Sequence, residues 1–372
     1  NKIYPEGLGT YMSSNDEKID FSLSNDELLN KAITFHQTGN FDKAELYYKK
    51  ILENFPNNTM VLTNLATLAL QLGRIEYGIE IIEKSLKIDS NQPSGFNNHG
   101  VMLQKLNRNE EALVSFNIAI DQKHDYAEAH ANKANSLSVL RFFEEAQESY
   151  DLSIKFKPDY LKAFLNKGRS LKENGQFEKA LLSFQKAHSI NPNIEFLSGE
   201  LLETNMHLCI WDDLEDSLIN IRQKIKARTK VINPFPFLGL LDDPSLQRKC
   251  AEAHSSANYP KSNVLPNILT YKNHAKIRIG YFSSDFYNHA TMHLMAELFE
   301  CHNREKFEIM AFSFGPEKDD LWRDRAKSSF DEFLDVSLIS DQKVTLLARE
   351  KEIDIAIALK GYTHNSRPKI FA

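Results

Sequence analysis

The chain lacks several features that would place it in a class at once. Cysteine is scarce: Cys209, Cys250 and Cys301 are the three in 372 residues, and they lie far apart without the spacing of a metal site. This usage fits a reducing compartment, and we expect a cytoplasmic protein. No apolar run reaches the ~18 residues that a membrane helix needs, and no signal peptide opens the chain. We therefore expect neither a membrane partner nor export.

Excess positive charge is also missing. The net charge is −6, with 26% charged and 42% hydrophobic residues, which is the composition of an ordinary globular protein. Nothing in this balance favours nucleic acid or an anionic membrane as partner. The C-terminal part has no G-x-G-x-x-G sequence, so the usual dinucleotide fingerprint is absent there. The length predicts two to three domains.

What the sequence does contain is a 34-residue period that runs from Asn25 to about Ile194. The five copies are 25–58, 59–92, 93–126, 127–160 and 161–194. Two columns hold small residues and a third holds large ones: Ala32, Ala66, Gly100, Ala134 and Gly168; Ala44, Gly78, Ala112, Ala146 and Ala180; Tyr48, Ile82, Phe116, Tyr150 and Phe184. Small residues let paired helices approach, and the large residue fills the space between them. This is the tetratricopeptide pattern, which predicts an α-solenoid with a concave binding face.

One further column is polar and occurs once per repeat. We call these five residues the asparagine column: Asn30, Asn64, Asn98, Asn132 and Asn166. Neighbouring first helices would place its members roughly 10 Å apart, about three residues of an extended peptide. Because an amide both donates and accepts, the column could hold a peptide backbone without reading side chains. The alternative is that duplication simply copied a common consensus residue, and the column alone leaves both interpretations open.

The remaining segments have their own patterns. Residues 1–24 are weakly patterned and predict a loose N-terminal lead. Residues 195–275 predict a helical connector, with an amphipathic helix after Trp211, an extended break at 233–237, and a helix capped by Asp243 and Pro244. From Lys276 the pattern changes to strands at 277–282, 307–314, 332–336 and 354–359, with helices near 289–302, 318–329 and 341–351. This alternation predicts part of a parallel, Rossmann-like α/β domain.

The stretch from Lys276 to His293 is the best candidate for a site. It reads as a strand, a loop and a helix, and ligands of α/β sheets bind where strands end. The loop offers Ser284, Asp285 and His289 at that point. His289 and His293 form H-x-x-x-H, but no third ligand is evident and we expect no metal.

Several motifs together resemble one family. They are C-I-W-D-D at 209–213, I-G-Y-F-S-S-D-F-Y-N-H at 279–289, F-S-F-G-P at 312–316 and K-G-Y-T at 360–363, in combination with the asparagine column. The set resembles the protein O-GlcNAc transferases, glycosyltransferase family 41, and is most similar to bacterial members. The resemblance implies a GT-B enzyme of two Rossmann-like lobes. It would move N-acetylglucosamine from UDP-GlcNAc to Ser or Thr hydroxyls, with inversion and without a metal or other cofactor.

The resemblance also implies roles for individual residues. The asparagine column would guide the acceptor polypeptide along the superhelix, and His289 would be catalytic, since imidazole can accept a proton near neutral pH. The alternative for His289 is a residue that only caps its helix. The active-site cleft would include Ser284, Asp285, Gly361, Tyr362 and Thr363.

The sequence departs from the family pattern in three places. Residues 364–367 follow the usual continuation only loosely, and Asp354 stands where animal members carry a second histidine. The first lobe, from 276 to 372, is incomplete and no donor-binding lobe follows, so we expect the chain by itself to be inactive. The alternative function is a non-catalytic repeat scaffold that binds peptides or partner proteins. Dimerisation through the convex face stays open.

Overall fold

The computed structural model describes residues 24–260, 265, 274–363 and 366–371. The N-terminal lead expected for 1–24 lies outside these residues except for Ser24, as do His364 and Asn365. No helix in the described ranges is both long and apolar enough to cross a membrane.

Ten helices in five pairs occupy the five copies of the 34-residue period. The first helices of the pairs are α1 (Asn25–Gln37), α3 (Thr59–Gln71), α5 (Pro93–Lys105), α7 (Ala127–Val139) and α9 (Leu161–Glu173). The second helices are α2 (Phe41–Asn54), α4 (Ile75–Ile88), α6 (Asn109–Gln122), α8 (Phe143–Phe156) and α10 (Phe177–Ile190). Each pair packs on the next, which gives the solenoid predicted from the period.

The small columns are small because large side chains lie against them. A Cβ atom added at Gly100 would come within 2.5 Å of the Phe116 ring, and one at Gly168 within 2.6 Å of the Phe184 ring. Both rings are fully buried. The first small column and the large column therefore form a contact between the helices of one pair, as the sequence predicted.

A helical connector follows the repeats. It consists of α11 (Leu197–His207), α12 (Leu214–Lys226), the short α13 (Pro234–Phe237) and α14 (Pro244–Asn258). The Asp243 side chain accepts from the Leu246 backbone N–H, so the predicted cap is present. The extended break expected at 233–237 is wrong. Only Asn233, which precedes a proline, is extended, while Pro234 begins a helical turn because its fixed φ suits the first position of a helix.

The last described part, residues 274–371, is an α/β unit that we call the lobe. Its four parallel strands are β1 (Ile277–Ser283), β2 (Phe307–Ser313), β3 (Glu332–Asp335) and β4 (Ile355–Ala358), in the order β3-β2-β1-β4. Its helices are α15 (Ala290–Glu300), α16 (Leu321–Ser329) and α17 (Asp341–Glu350). Each predicted strand and helix is present.

Alternate residues of the strands cover the two faces of the sheet. Tyr281 and Ile309 belong to a core with Phe299 of α15, while Phe282 and Met310 belong to a second core on the α17 side. The central strands β1 and β2 are thus buried on both faces, as in other parallel sheets, while the edge strand β4 is mostly exposed. The chain passes from β1 through β2 to β3 and then crosses to β4 on the other side of β1. This reversal opens a crevice at the carboxyl ends of β1 and β4.

The lobe also contacts the repeats. Glu76 of α4 accepts a hydrogen bond from the Ser340 backbone N–H at 3.3 Å. It also forms an ion pair with Lys343 at 3.3 Å. Asn107, in the turn between α5 and α6, donates to the Ser337 carbonyl at 3.4 Å. The segment that leads into α17 therefore lies against the second and third repeats.

Candidate active site and acceptor groove

Asp285 is the centre of the crevice between β1 and β4. Only 3% of the residue's surface is exposed, and its Oδ2 lies 2.8 Å from the Lys360 Nζ. Its Oδ1 accepts from the Ser284 hydroxyl at 2.7 Å, and its backbone N–H donates to the Ser283 hydroxyl. The ion pair joins the S-S-D loop after β1 to the K-G-Y-T segment after β4. A carboxylate buried this deeply needs such a partner.

Lys360 is the residue that sequence reasoning missed. It stands inside a quoted motif, but nothing in the sequence shows that it faces Asp285, 75 positions earlier. The pairing depends on β4 lying next to β1, and the order of the strands in the sheet was not predicted.

The S-S-D loop is held by a close backbone approach from the F-S-F-G-P segment. A Cβ atom at Gly315 would overlap the carbonyl oxygen of Ser284. The Phe314 backbone N–H donates to the Ser283 carbonyl at 3.1 Å. Because only glycine fits at position 315, this motif fixes the height of Ser284 and Asp285 above the sheet.

His289 caps α15. Its Nδ1 accepts from the Thr291 backbone N–H at 3.2 Å and lies 3.1 Å from the Thr291 hydroxyl. Its Nδ1 is 3.6 Å from the Asp285 Oδ2, so the two predicted cleft residues are close but not hydrogen-bonded. The histidine side chain is 39% exposed, so it faces the open crevice.

The cap decides which chemistry His289 can perform in this arrangement. A ring nitrogen that accepts from an N–H carries no proton, so the neutral ring has its proton on Nε2. That Nε2–H can donate a hydrogen bond to a ligand. To act as a base, the ring must either use Nδ1 after breaking the cap or exchange tautomers. The structure thus supports the capping role and leaves the catalytic role of His289 a prediction.

His293 does not join His289. Its Nε2 lies 2.9 Å from the Asn288 Oδ1, and its ring packs on Trp322 at 4.0 Å between centroids. Asp320, the cap of α16, also accepts from the Asn288 backbone N–H at 3.1 Å. Both contacts fix the loop that carries His289. In the part of the chain that the structure describes, no three His, Cys, Asp or Glu side chains converge as a metal site would require.

Gly361, Tyr362 and Thr363 form a turn beyond β4. Gly361 has a φ of 55°, and the Thr363 hydroxyl donates to the Lys360 carbonyl at 2.7 Å. The Tyr362 ring meets His254 of α14 edge-on at 5.2 Å between centroids. A cavity of about 360 Å³ opens here, lined by Lys360 and Tyr362 among others. Lys360 thus connects this turn with the Asp285 side of the crevice.

Asp354 lies at the opposite edge of the sheet. Its Oδ2 accepts from the Arg278 backbone N–H at 2.8 Å, at the amino end of β1. Asp354 therefore lies outside the crevice, although it stands where animal members of the resembled family carry a second histidine.

The asparagine column lies on the first helices, at the sixth residue of each. Asn30 is exposed and the other four are half-buried. Three of the side chains donate to a neighbouring repeat through Nδ2. Asn98 donates to the Thr67 hydroxyl at 3.0 Å, Asn132 to the Asn97 Oδ1 at 2.9 Å, and Asn166 to the Asn135 Oδ1 at 3.0 Å.

These bonds leave the amide oxygens free. Among the described residues, no hydrogen bond involves the Oδ1 of Asn98, Asn132 or Asn166. The hydrogen bond to the preceding repeat therefore fixes the orientation of each amide, and its oxygen can accept from a ligand N–H.

Asn64 differs because both places that supply an acceptor in later repeats are apolar in the first one. Ile33 stands at the place of Thr67 and Asn135, and Leu29 stands at the place of Asn97. Neither side chain offers an acceptor, and Asn64 makes no side-chain hydrogen bond to the described residues of the first repeat. Asn64 and Ile33 instead line a cavity of about 490 Å³ between the first two repeats. Its wall includes His36, which lies 3.2 Å from the Tyr48 hydroxyl and 3.1 Å from the Gln71 Oε1.

Comparison with known proteins gives matches to both parts of the chain. Residues 243–372 match the family described as glycosyl transferase family 41, while 29–93 and 161–194 match tetratricopeptide repeat families. A probable UDP-N-acetylglucosamine–peptide N-acetylglucosaminyltransferase of Arabidopsis thaliana, SEC, is 32% identical over 188 residues, which is 46% of this chain and 19% of that protein. A UDP-N-acetylglucosamine–peptide N-acetylglucosaminyltransferase of Caenorhabditis elegans is 28% identical over 180 residues, 44% of this chain and 16% of that protein.

The chain thus matches less than a fifth of the length of these two relatives. Among solved structures, the type IV pilus biogenesis factor PilW has a TM-score of 0.52 at 18% identity, covering 54% of this chain and 94% of its own. At that identity the likeness concerns the fold alone.

Proposed function

We propose that this chain, in which tetratricopeptide repeats lead into a glycosyltransferase family 41 segment, is the acceptor-binding arm and the first catalytic part of a protein O-glycosyltransferase. The enzyme would move N-acetylglucosamine from UDP-GlcNAc to Ser or Thr of a polypeptide bound along the repeats, inverting the anomeric centre without a metal. Donor binding would need a second lobe that these residues do not supply, so the chain by itself would be inactive.

The observation that carries the proposal is the joint occurrence of two features in one chain. The asparagine column presents amide oxygens at regular intervals, and the lobe presents a crevice with a buried Asp285–Lys360 pair and an exposed His289. A peptide groove alone would suit many scaffolds, and a crevice alone would suit many enzymes. Together they suit an enzyme whose substrate is a polypeptide.

The acceptor side follows from the geometry of the amides. Each residue of an extended polypeptide other than proline offers one backbone N–H, and each free Oδ1 can accept one of them. Such contacts do not depend on side chains, so the groove would hold many different sequences. The names of the two relatives describe peptide acceptors, which agrees with this assignment.

The crevice would position the reacting hydroxyl. We assign Asp285 and Lys360 to holding the loop after β1, because Asp285 is buried, Lys360 is mostly buried and the two charges neutralise each other. His289 would act at the hydroxyl, first as a donor through Nε2–H, and as the proton acceptor only after its Nδ1 leaves the cap. Catalysis by positioning and proton transfer of this kind needs reacting atoms within hydrogen-bond reach.

The test compares donor hydrolysis and peptide transfer by the product of the complete reading frame, the 372-residue chain, and a Lys360→Met variant of the complete product. We expect transfer from UDP-GlcNAc by the complete product alone. Loss of Lys360 leaves Asp285 buried and unpaired, so transfer should fall at least tenfold. Absence of turnover on any peptide, in every form, would refute the enzyme.

The alternative is a peptide-binding scaffold. One observation favours it: the His289 ring is already used as a helix cap. It would be supported if peptides bind the repeats, Asn98→Ala with Asn132→Ala releases them, and no form of the protein turns over a UDP-sugar.

A further inference from the structure

Between successive members of the asparagine column lies a second row of side chains, three residues further along each first helix. We call it the intervening row: Ile33, Thr67, Val101, Asn135 and Arg169. Thr67 and Asn135 receive the amide bonds of Asn98 and Asn166, so the row lies on the same line as the column. Arg169 is the one exposed member; the other four are half-buried.

The column itself continues one step beyond the five repeats. The position 34 residues after Asn166 is Glu200, in α11. Arg169 donates through Nε to the Glu200 Oε1 at 2.9 Å. Thr67 and Asn135 pair with the next column residue in the same way, except that there the column residue is the donor. The last step of the column therefore repeats this pairing with the direction reversed and with charge on both partners.

Glu200 is buried, with 5% of its surface exposed, and it is fully paired. Lys172 donates to its Oε2 at 2.6 Å and to Glu203 at 2.9 Å. Burial by itself would raise the pKa of Glu200, but the charges of Lys172 and Arg169 lower it below the ordinary value. Glu200 thus stays a carboxylate and fixes the stem of Arg169, and its burial keeps it from meeting a ligand itself.

The Arg169 side chain is 44% exposed, and only its Nε is engaged by a described residue. Its Nη1 and Nη2 have no hydrogen-bond partner in the described ranges. A guanidinium presents these donors in a planar fork that matches a carboxylate. Because Glu200 already fixes the orientation of Arg169, little side-chain entropy is left to lose on binding.

We propose that Arg169 reads an acidic residue, Asp or Glu, of the bound polypeptide at the C-terminal end of the asparagine column. This proposal rests on the proposed role of the column in acceptor binding, and it adds side-chain selectivity to a groove that otherwise contacts backbone. The pair is solvent-exposed, so its effect is modest: about three- to tenfold in affinity, weakening as salt rises.

The experiment uses the 372-residue chain and fluorescent 20-residue peptides of mixed neutral sequence. Three of them carry one Asp, near the amino end, in the middle or near the carboxyl end, and each has a matched Asn peptide. Dissociation constants come from anisotropy. We expect one end position to favour Asp over Asn about three- to tenfold, and Arg169→Gln to abolish that ratio. Lys186→Gln, which removes an exposed positive charge from α10 of the same repeat, should keep it.

Arg169→Lys is the control for misfolding, because it keeps a positive charge beside Glu200 but lacks the forked donors of the guanidinium. It should reduce the Asp/Asn ratio while thermal unfolding stays close to that of the parent. An Asp/Asn ratio near one at every position, or a ratio that Arg169→Gln leaves unchanged, would overturn the proposal. The proposed role of the column in acceptor binding fails in a different way: no peptide binds, or Asn98→Ala with Asn132→Ala leaves binding of all peptides unaltered.

Discussion

At the scale of single residues, the His289 side chain combines a helix cap with exposure to the crevice. It closes the first turn of α15 with Nδ1 and exposes the rest of its ring to the crevice. A substitution by alanine removes both functions, so a loss of activity in that variant would not show which one mattered.

Asparagine separates them, because its Oδ1 can accept the same Thr291 N–H and it is a favoured cap residue. We expect the free energy of unfolding of His289→Asn to lie within about 0.5 kcal/mol of the parent's, and that of His289→Ala to be lower by about 1 kcal/mol. Urea denaturation of the 372-residue chain measures both. If imidazole acts at the hydroxyl, both variants of the complete product lose peptide transfer. Full transfer by His289→Asn would show that the cap is all this residue supplies.

The residues of the crevice could be only partly predicted. Ser284 and Asp285 were placed there because they follow a strand, and the structure puts them there. Lys360 could not be identified, since its role arises from contact across the β1–β4 crossover. The same is true of Gly315, whose need for a missing side chain depends on the carbonyl of Ser284 lying against it.

At the scale of helices and strands, a cluster of charges joins α9 to α11 beside the apolar residues that these helices share. Arg169 and Lys172 of α9 hold Glu200 of α11. A carboxylate whose pKa is lowered in the folded chain adds stability above its unfolded pKa and loses it as pH falls through the folded one. The pKa of Glu200 is lowered from 4.5, so this contribution is complete at neutral pH and disappears below that value.

We therefore expect Glu200→Gln to lower the free energy of unfolding by about 2 kcal/mol at pH 7, since hydrogen bonds to a charged group are lost. The difference from the parent should shrink as pH falls below 4.5. Denaturant unfolding from pH 3 to pH 7 measures both. Glu203→Gln, which removes one partly exposed partner of Lys172, is the control with a smaller effect. A constant difference across that range would contradict the assignment.

Elements with strong periodicity were predicted closely. The 34-residue columns gave all ten repeat helices, and β1 and β2 end within a residue of the expected positions. The connector was harder, because proline restricts both itself and the residue before it. The proline after Asn233 makes only Asn233 extended, whereas the sequence pattern predicts an extended conformation for all of 233–237. Pro234 itself begins α13.

At the scale of the whole molecule, Glu76 joins the lobe to the repeats through the Ser340 N–H and Lys343. Contacts between residues more than 260 positions apart have no signature in the sequence. Burial would raise the pKa of Glu76, but its hydrogen bonds and Lys343 lower it from 4.5. The contact is thus formed at neutral pH and weakens as pH falls below that value.

Hydrogen exchange of the Ser340 amide reports on this contact directly. We expect Glu76→Ala to speed that exchange about tenfold, roughly the loss of one net hydrogen bond, while amides within β1 stay unchanged. Glu110→Ala is a matched control, because Glu110 has the same place in the next repeat and makes no hydrogen bond or ion pair to the described residues of the lobe. Equal exchange of Ser340 in both variants would show that Glu76 does not hold the lobe.

The amide bonds between repeats have one more consequence, for the composition of a bound chain. Asn98, Asn132 and Asn166 each donate one Nδ2 hydrogen bond to a neighbouring repeat and leave Oδ1 free to accept. A groove that offers acceptors requires donors from its guest, and proline has no backbone N–H. Each proline opposite one of these amides loses one hydrogen bond, so we expect proline-rich stretches to bind this arm most weakly.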